Sequence, residues 1–437
     1  MGIISKFHNL FYDSLVRKCN TLFDKFENSS NAKKKLVVLC WTILSILFIL
    51  IIRCDCLYDV KNFIQYWIDY LNKDGLFSVY NHLYDESHFV NYPPLYLSYL
   101  YIVKNILNFM KLKFGISGII VFFQLQNIIV HLLISWFCKL KFGDKIGFLW
   151  FFNPLFLYVN IMTIHFDELF AFIMISCVLA MKNKNDFQVY FLFGLGCLLK
   201  LQGAYLLPLI IWYMFSDYDK IGKRLCICIG VGIACLCCFI PFILSNGNIM
   251  LPIHLYIGSN GFNSNYFASF LPTNMFGLLS EGTIVHYGIT QKIGLVMSVS
   301  IFAQLTNFLL LILSIFYVYH LLDKKKVNVL EAAFAYFFWI YYTNWSQAQR
   351  YSVYFIAFGI IVGTICKKYE DWSCEFITLQ CFSILFTTVL NTHIVTFGFN
   401  IVTIVLFVIY IIFWLMFMYI FIQYQKYIFK RNVPEIA

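Results

Sequence analysis

The sequence predicts an all-α polytopic membrane protein, from its composition, the length of its apolar runs and the lack of alternation within them. Of its 437 residues, 61% are hydrophobic and 12% are charged, with a mean hydropathy of +0.75, whereas soluble domains carry about 25% charged residues. Uncharged runs such as 294–319 and 401–422 reach the roughly 20 residues that a helix needs to cross a bilayer. Backbone groups in lipid must be satisfied within the segment, which favours helices, and barrel strands would alternate polar and apolar residues.

About thirteen apolar segments follow one another along the chain. They lie near 36–53, 93–110, 115–137, 146–164, 168–181, 187–200, 204–216, 225–245, 293–321, 327–343, 352–366, 372–391 and 396–425. Several are shorter than the about 17 residues that a span usually requires, so we expect burial among neighbours or local thinning of the bilayer. The expected fold is a bundle of about 11–13 transmembrane helices with two large outer loops.

The net charge of +10 is distributed as in a membrane protein. Lysine and arginine collect in short clusters between apolar runs, near 33–35, 139–145, 182–184, 220–224, 324–326, 367–368 and 426–431. The positive-inside rule assigns such clusters to cytoplasmic loops. Thirteen crossings would leave the last cluster outside, whereas about twelve, with 93–137 making one net crossing, place every cluster inside. We therefore expect twelve net crossings.

These assignments divide the chain into four parts. Residues 1–35 form a cytoplasmic N-terminal segment without the features of a removable signal peptide. Residues 36–245 form a helical module whose first outer loop is 53–92, residues 246–291 form a second outer loop, and residues 292–437 supply the C-terminal helices. Aromatic residues recur at helical spacing in the first loop, which predicts an amphipathic helix lying on the membrane.

Five polar features lie at predicted outer ends of apolar segments, where ionisable groups are costly unless they face water, protein or a partner. In chain order they are Asp59, Tyr92-Pro-Pro94, Asn153-Pro154 followed by His165-Phe-Asp167, Lys200-Leu-Gln202 with Pro208, and Arg350-Tyr351. Each feature also has an ordinary explanation, such as a solvated carboxylate, a proline at a helix start or a lysine that extends its amine to the interface. Their order along one chain is what favours a functional interpretation.

In this order the features resemble the GT-C superfamily of polyprenyl-phosphate-sugar-dependent glycosyltransferases. The likeness is greatest to the dolichyl-phosphate-glucose-dependent glucosyltransferases of asparagine-linked glycan assembly and to related bacterial multispanning mannosyl- and glucosyltransferases. It covers roughly residues 36–360 through sparse motifs, and it makes 36–245 a GT-C-like module with a catalytic loop at 53–92. Many bacterial relatives carry His-Glu-Arg-Tyr late in the chain; here Ala348 and Gln349 precede the matching Arg350-Tyr351.

The resemblance implies inverting transfer of a hexose from a polyprenyl- or dolichyl-phosphate sugar to a glycan or lipid-linked acceptor at the non-cytoplasmic face. Asp59 would be the general base, and Arg350 with Lys200 would bind the donor phosphate and stabilise its developing charge. Acceptor or substrate contacts would come from Trp67, Tyr92, His165, Asp167, Gln202 and Tyr351. No cofactor is expected, and a divalent ion bound by Asp55, Asp59 and Asp167 is the less favoured alternative.

Other classes of protein stay open. A Wzy-like polysaccharide polymerase or ligase also has many helices and a large outer loop, but it typically lacks the early aspartate with Tyr-Pro-Pro. A lipid-linked sugar transporter or flippase predicts internal repeats and mid-membrane charges. A structural subunit would leave Asp59, Lys200 and Arg350 on one side unexplained.

The expected partners are the lipid-linked donor, a glycan or lipid-linked acceptor and membrane lipid, with no nucleic acid. A multi-pass protein of the bacterial plasma membrane is favoured over one of the endoplasmic reticulum membrane. The reason is a composition rich in Phe, Ile, Lys and Asn, which is typical of an AT-rich genome.

Overall fold

The computed structural model describes residues 17–18, 21, 25, 28–51, 60–83, 90, 92–160, 166–255, 299–324, 327–343, 351–365 and 401–430. The predicted apolar segment 372–391 and most of the second outer loop lie outside these residues. Every element among the described residues is a helix or a helical turn, and they contain no strand. For this part of the chain, the prediction of an all-helical fold is confirmed.

The described α-helices begin and end near the predicted apolar segments. They are α1 Asn31–Ile51, α2 Gln65–Lys73, α3 Pro94–Phe114, α4 Ile116–Phe142, α5 Asp144–Phe151, α6 Pro154–Tyr158, α7 Asp167–Lys182, α8 Asp186–Leu199, α9 Leu207–Phe215, α10 Ile221–Cys237, α11 Ile240–Asn246, α12 Val299–Tyr319, α13 Val329–Thr343, α14 Ser352–Ile365 and α15 Ile401–Lys430. Short helical turns lie at Val60–Ile64, Val79–His82, Leu201–Leu206, Tyr218–Lys220, Leu251–Ile253 and His320–Lys324.

Three described helices are long and apolar enough to cross a membrane: Ile116–Phe142, Tyr218–Asn246 and Ile404–Phe429. Three further apolar helices, Asp186–Leu199, Leu201–Phe215 and Ser352–Gly363, are shorter. The expectation that several apolar segments are too short to span alone is confirmed. The expected total of crossings is supported only as far as these three helices.

Prolines and a capping asparagine set two of the helix boundaries. Pro94 occupies the first position of α3, where its missing N–H would have no partner in the helix. The segment 146–164 is interrupted before Pro154, whose ring prevents the helix from continuing. There the side-chain oxygen of Asn153 accepts a hydrogen bond from the Leu155 N–H at 2.9 Å, which starts α6.

The predicted amphipathic helix of the first outer loop is present as α2, preceded by the turn Val60–Ile64. Its buried face consists of Trp67, Ile68 and Leu71. The opposite face carries exposed polar side chains such as Asp69. The helix itself is therefore confirmed, since hydrophobic and polar residues separate onto its two faces.

The chain divides into two compact units. The first comprises 1–29, 135–155 and 264–437, and the second comprises 30–134 and 156–263. The first unit has an aromatic core, in which the Phe338 ring of α13 lies with its centroid 5.0 Å from those of Phe355 and Phe421. Such ring pairs add about 0.5–1.5 kcal/mol beyond the burial of their surface, so α13, α14 and α15 are held largely by aromatic packing.

The second unit is organised around the antiparallel hairpin of α7 and α8. Its turn has Lys184 in the left-handed region with φ 55°, and the Asn185 side chain caps α8 by accepting from the Gln188 N–H at 3.2 Å. Helix α9 and the turn before it return alongside α8, and α10 packs on α8. The unit is therefore a sequence of neighbouring helices joined by short turns.

Helices α8 and α10 touch at a glycine. A Cβ atom added to Gly194 would lie 2.8 Å from Val231 Cγ1 and 2.9 Å from Cys235 Sγ. Both distances are shorter than van der Waals contact, so only glycine permits this approach of the two helices. Gly194 lies in the second half of α8. The contact therefore sets which part of α10 lies beside that half of α8.

We predict that Gly194→Ala destabilises the protein by about 1–3 kcal/mol, the usual result of overpacking. The matched control is Gly230→Ala on α10, where an added Cβ meets nothing within 4 Å. Alanine there should be neutral or stabilising by about 0.5–1 kcal/mol, since it is the better helix former. Thermal unfolding midpoints of the purified variants measure both effects, and equal midpoints would contradict the proposed packing.

Candidate functional site

The N-terminus of α7 and the C-terminal end of α8 are joined by a buried ion pair. Lys200 Nζ donates a hydrogen bond to Asp167 Oδ1. The exposed fractions are 0% for Asp167 and 6% for Lys200. A buried charge is tolerated when it is paired, and losing either partner leaves the other charge uncompensated. The pair therefore holds two helix ends together and places two ionised groups in an apolar surrounding.

A tight turn directs Lys200 towards Asp167. Lys200 ends α8 in an extended conformation, with φ −153° and ψ 140°, and its carbonyl accepts from the Gly203 N–H at 2.9 Å. A Cβ at Gly203 would lie 2.6 Å from the backbone nitrogen of Cys197. The turn thus folds back on the last residues of α8 so closely that a side chain at residue 203 does not fit.

Glu168, the neighbour of Asp167, belongs to a second buried network. Its Oε1 lies 2.8 Å from His131 Nδ1, and both side chains are 1% exposed. Its Oε2 accepts a hydrogen bond from Asn160 Nδ2. The Asn160 carbonyl in turn accepts from Asn127 Nδ2 at 3.3 Å. His131 lies near the middle of the 27-residue helix α4.

Aromatic rings lead from the first outer loop to this charged region. The Trp67 and Tyr92 ring centroids are 5.2 Å apart, and those of Tyr92 and Tyr96 are 4.5 Å apart. Tyr96 contacts Phe166, with a centroid distance of 5.3 Å, and Phe166 directly precedes Asp167. A cluster of packed aromatic rings and a pair of buried charges thus adjoin at one end of the second unit.

The other end of α8 carries a different charge cluster. Asp186 Oδ1 accepts from Arg224 Nε at 3.0 Å and from the Tyr213 hydroxyl at 2.8 Å, while Lys223 Nζ lies 3.1 Å from Oδ2. The Arg224 guanidinium also lies 4.0 Å from the centre of the Tyr213 ring. Charged contacts therefore bind both ends of α8, which has 14 residues and is about 20 Å long.

Of the residues that the sequence predicted for the site, several lie in the second unit. The structure brings Asp167 to Lys200 and Trp67 to Tyr92. Gln202 is half-buried in the turn that follows Lys200. Lys200 was predicted to bind a phosphate, and here its ammonium group is bound to a carboxylate.

The other predicted residues lie in the first unit or outside the described residues. Tyr351 belongs to the first unit, where its ring stacks on Tyr354 at a centroid distance of 5.8 Å. Asp55, Asp59, His165 and Arg350 lie outside the described residues. Within the described part of the chain, no group of three His, Cys, Asp or Glu side chains is arranged to hold a metal ion.

Sequence reasoning missed the network of Glu168 and His131. A signal was present, because Gln124, Asn127 and His131 interrupt an apolar run at intervals of three and four residues. That spacing places them on one face of a helix. All three are in fact at most 3% exposed, so they form a buried polar stripe along α4.

No protein-family model matches the chain, and no curated protein matches it. The chemical capacity of the site is therefore taken from its residues. Asp167 and Glu168 supply hydrogen-bond acceptors, and Lys200 and a ring nitrogen of His131 supply donors. Next to them, the rings of Trp67, Tyr92 and Tyr96 pack on one another, and Trp67 and Tyr96 are only 3% and 4% exposed.

We predict that Asp167→Asn or Lys200→Met alone destabilises the protein by about 3–5 kcal/mol, because each leaves a buried charge without its partner. The double variant should recover most of that loss. The control is Asp144→Asn, which breaks the exposed pair with Lys139 at 3.3 Å and should cost about 0–1 kcal/mol. Unfolding midpoints test this, and additive losses in the double variant would show that the two charges do not depend on each other.

Proposed function

We propose that the protein is a polytopic membrane glycosyltransferase with a GT-C-like bundle of helices. It transfers a hexose from a polyprenyl- or dolichyl-phosphate sugar to a glycan or lipid-linked acceptor at the non-cytoplasmic face, with inversion. One observation carries the proposal: the buried pair of Asp167 and Lys200 adjoins a cluster of packed aromatic side chains at one end of an apolar helical unit. Buried ionisable groups among apolar helices are costly and typically serve function.

The distribution of basic residues supports the sidedness of the site. Lys184 in the turn after α7 and Lys223 at the start of α10 lie at the end of the unit that contains Asp186. The pair of Asp167 and Lys200 lies at the opposite end of the α7–α8 hairpin. The positive-inside rule assigns the basic end to the cytoplasm, so the site faces the other side.

In the proposed reaction the acceptor hydroxyl oxygen attacks C1 of the donor sugar. A new C–O bond forms while the bond between C1 and the phosphate oxygen breaks, and the lipid phosphate leaves with the electron pair. Asp59 takes the hydroxyl proton as general base. In the proposal Lys200, which is bound to Asp167 in the structure, contributes to binding of the donor phosphate, as the family resemblance implies. The phosphate role of Arg350 rests on the family resemblance.

An apolar groove supports a donor with a lipid tail. It has a volume of about 410 Å³ and lies on α10, α11 and the turn that follows them. Its lining is almost entirely aliphatic: Ile233, Leu236, Cys237, Ile240, Ile243, Leu244, Ile249 and Pro252. Because Gly194 of α8 meets α10 at Val231 and Cys235, the groove, whose lining begins at Ile233, starts near the level of Gly194 and continues past that of Lys200. A tail in the groove would bring its phosphate towards this end of the unit.

We predict that Asp59→Asn lowers sugar transfer by at least about 100-fold at unchanged expression, because general base catalysis typically contributes 10²–10⁴-fold. Asp55→Asn, four residues earlier in the same loop, is the matched control and should keep most of the activity. The measurement is transfer of a radiolabelled hexose from a polyprenyl-phosphate donor in membranes. Near-normal turnover of Asp59→Asn would remove that residue from the mechanism.

We also predict that Ile240→Trp, which fills the groove, raises the KM for a long-chain donor about tenfold with little change in kcat. The variant would lose the same amount of donor binding in the ground state and in the transition state, so KM rises while kcat stays nearly constant. A short-chain donor should be used equally well by the variant and the wild type. Ile229→Trp, at a similarly exposed position outside the groove, is the control. If both variants affect both donors alike, the groove does not hold the tail.

A lipid-linked sugar transporter is the second candidate, and one observation favours it. His131 and Glu168 form a buried pair near the middle of a helix long enough to span a membrane, and such pairs are typical of proton-coupled transport pathways. The two functions differ in their products. A transporter would move an intact lipid-linked sugar between leaflets of proteoliposomes, whereas the glycosyltransferase would release free polyprenyl phosphate.

A further inference from the structure

Helix α3 is in contact with α2 from its first turn to its last. At its start, the Tyr96 ring lies 6.1 Å from the Trp67 ring. At its end, Lys111 Nζ lies 2.9 Å from Asp69 Oδ1. Between these points Lys104 Nζ reaches the Leu71 carbonyl at 3.5 Å. A 9-residue helix of the first outer loop thus contacts a 21-residue helix near both of its ends through long side chains.

The segment that follows α2 is bound to the outer end of α11. Ser78 and Ser245 share a hydrogen bond of 2.7 Å between their hydroxyls. Next to it, the Tyr80 ring lies 5.2 Å from the Phe242 ring. In the proposed orientation the C-terminal end of α11 lies on the non-cytoplasmic side, because α10 begins at the basic end with Lys223. Helix α2 is therefore held on the non-cytoplasmic side.

We infer that α3 does not cross the membrane and lies along its outer surface beside α2. An upright helix of 21 residues is about 30 Å long from end to end, which is the thickness of the hydrocarbon core. Lys111 would then be at the cytoplasmic face, out of reach of Asp69 in the outer loop. The 2.9 Å contact between them places both ends of α3 on one side.

The exposed face of α3 fits a bilayer interface. Its large exposed side chains are Ile102, Ile106, Phe109, Leu112 and Phe114, between 53% and 82% exposed. The helix carries three lysines and no acidic residue. Apolar and aromatic side chains combined with lysines are typical of helices that lie in the headgroup region, and the positive charge suits anionic lipid headgroups. The occupant of this face is therefore the outer leaflet of the bilayer.

This placement changes the position of the His131–Glu168 pair relative to the membrane. The first half of α4 runs back along α3, since Tyr99 donates to Gln126 and Gly118 packs against the Met110 carbonyl. Glu168 lies in the first turn of α7, at the same end of the α7–α8 hairpin as Asp167 and Lys200, so its partner His131 lies towards the outer boundary instead of the midplane. An outer position suits a site open to the non-cytoplasmic side and weakens the argument for transport.

The test uses the native lysines of the protein in intact cells. A membrane-impermeant N-hydroxysuccinimide ester is added, and modified peptides are identified by mass spectrometry before and after permeabilisation. Lys113 at the end of α3 and Lys73 at the end of α2, both exposed, should be modified in intact cells. Lys184 and Lys223, also exposed, should be modified at least tenfold more after permeabilisation.

The inference rests on the membrane orientation of the proposed function, and the outcomes separate the two. Modification of Lys73 without Lys113 in intact cells would show that α3 crosses, which overturns the inference. Modification of Lys184 in intact cells would overturn the proposed orientation. Even then, equal modification of Lys73 and Lys113 would show that both ends of α3 lie on one side of the membrane. A bilayer-restricted aryl diazirine should label the peptide with Ile106 and Phe109. Its failure to do so would overturn the docking of this face on lipid.

Discussion

A charge buried among apolar helices has to be paired, and this constraint organises the second unit. Helix α8 is 14 residues long and is bound at both ends by ion pairs, with Asp167 at Lys200 and with Arg224 at Asp186. Removing one member of such a pair leaves an uncompensated charge. The two pairs therefore fix the position of α8 between α7 and α10, and with it the turn that presents Lys200. The position of the aromatic cluster follows from the same constraint, because Phe166 precedes Asp167 and packs on Tyr96.

Because α8 is shorter than the neighbouring helix Tyr218–Asn246, the end of α8 that carries Lys200 is recessed from the non-cytoplasmic end of that helix. The helix Tyr218–Asn246 is long enough to cross a membrane, whereas α8 ends at Leu199. Since Gly194 meets α10 at Val231 and Cys235, Lys200 lies roughly 10 Å short of Asn246 along the helix direction. In the proposed function this recess is where a lipid phosphate meets the acceptor, with the apolar groove beside it for the tail and α2 and α3 at its outer edge.

The helices themselves could be predicted from the sequence, because long apolar runs and prolines act locally. The start of α3 at Pro94 and the break before Pro154 are examples. The ends of several helices were also predicted, since polar residues such as Asp167 and Lys200 interrupt the runs. Their pairing could not be predicted, because it joins residues that are 33 positions apart through a turn whose direction depends on the close contact at Gly203.

The contacts of Glu168 with its buried partners could not be predicted from the sequence either. A histidine within an apolar run can be a core residue or part of a site, and the sequence does not distinguish the two without knowing which carboxylate it meets. Here His131 meets Glu168 at 2.8 Å. The assignments of Asp59, His165 and Arg350 stay predictions from the family resemblance, since these residues lie outside the described part of the chain.

The central claim is that a lipid-phosphate sugar is consumed at this site, and the most direct measurement is a donor panel. Purified protein in nanodiscs would be incubated with polyprenyl- and dolichyl-phosphate hexoses and a glycan or lipid-linked acceptor, and free lipid phosphate would be quantified. We expect release of lipid phosphate from at least one donor, matched mole for mole by acceptor that has gained a hexose. Intact donors throughout the panel, together with movement of a lipid-linked sugar across a proteoliposome bilayer, would contradict it.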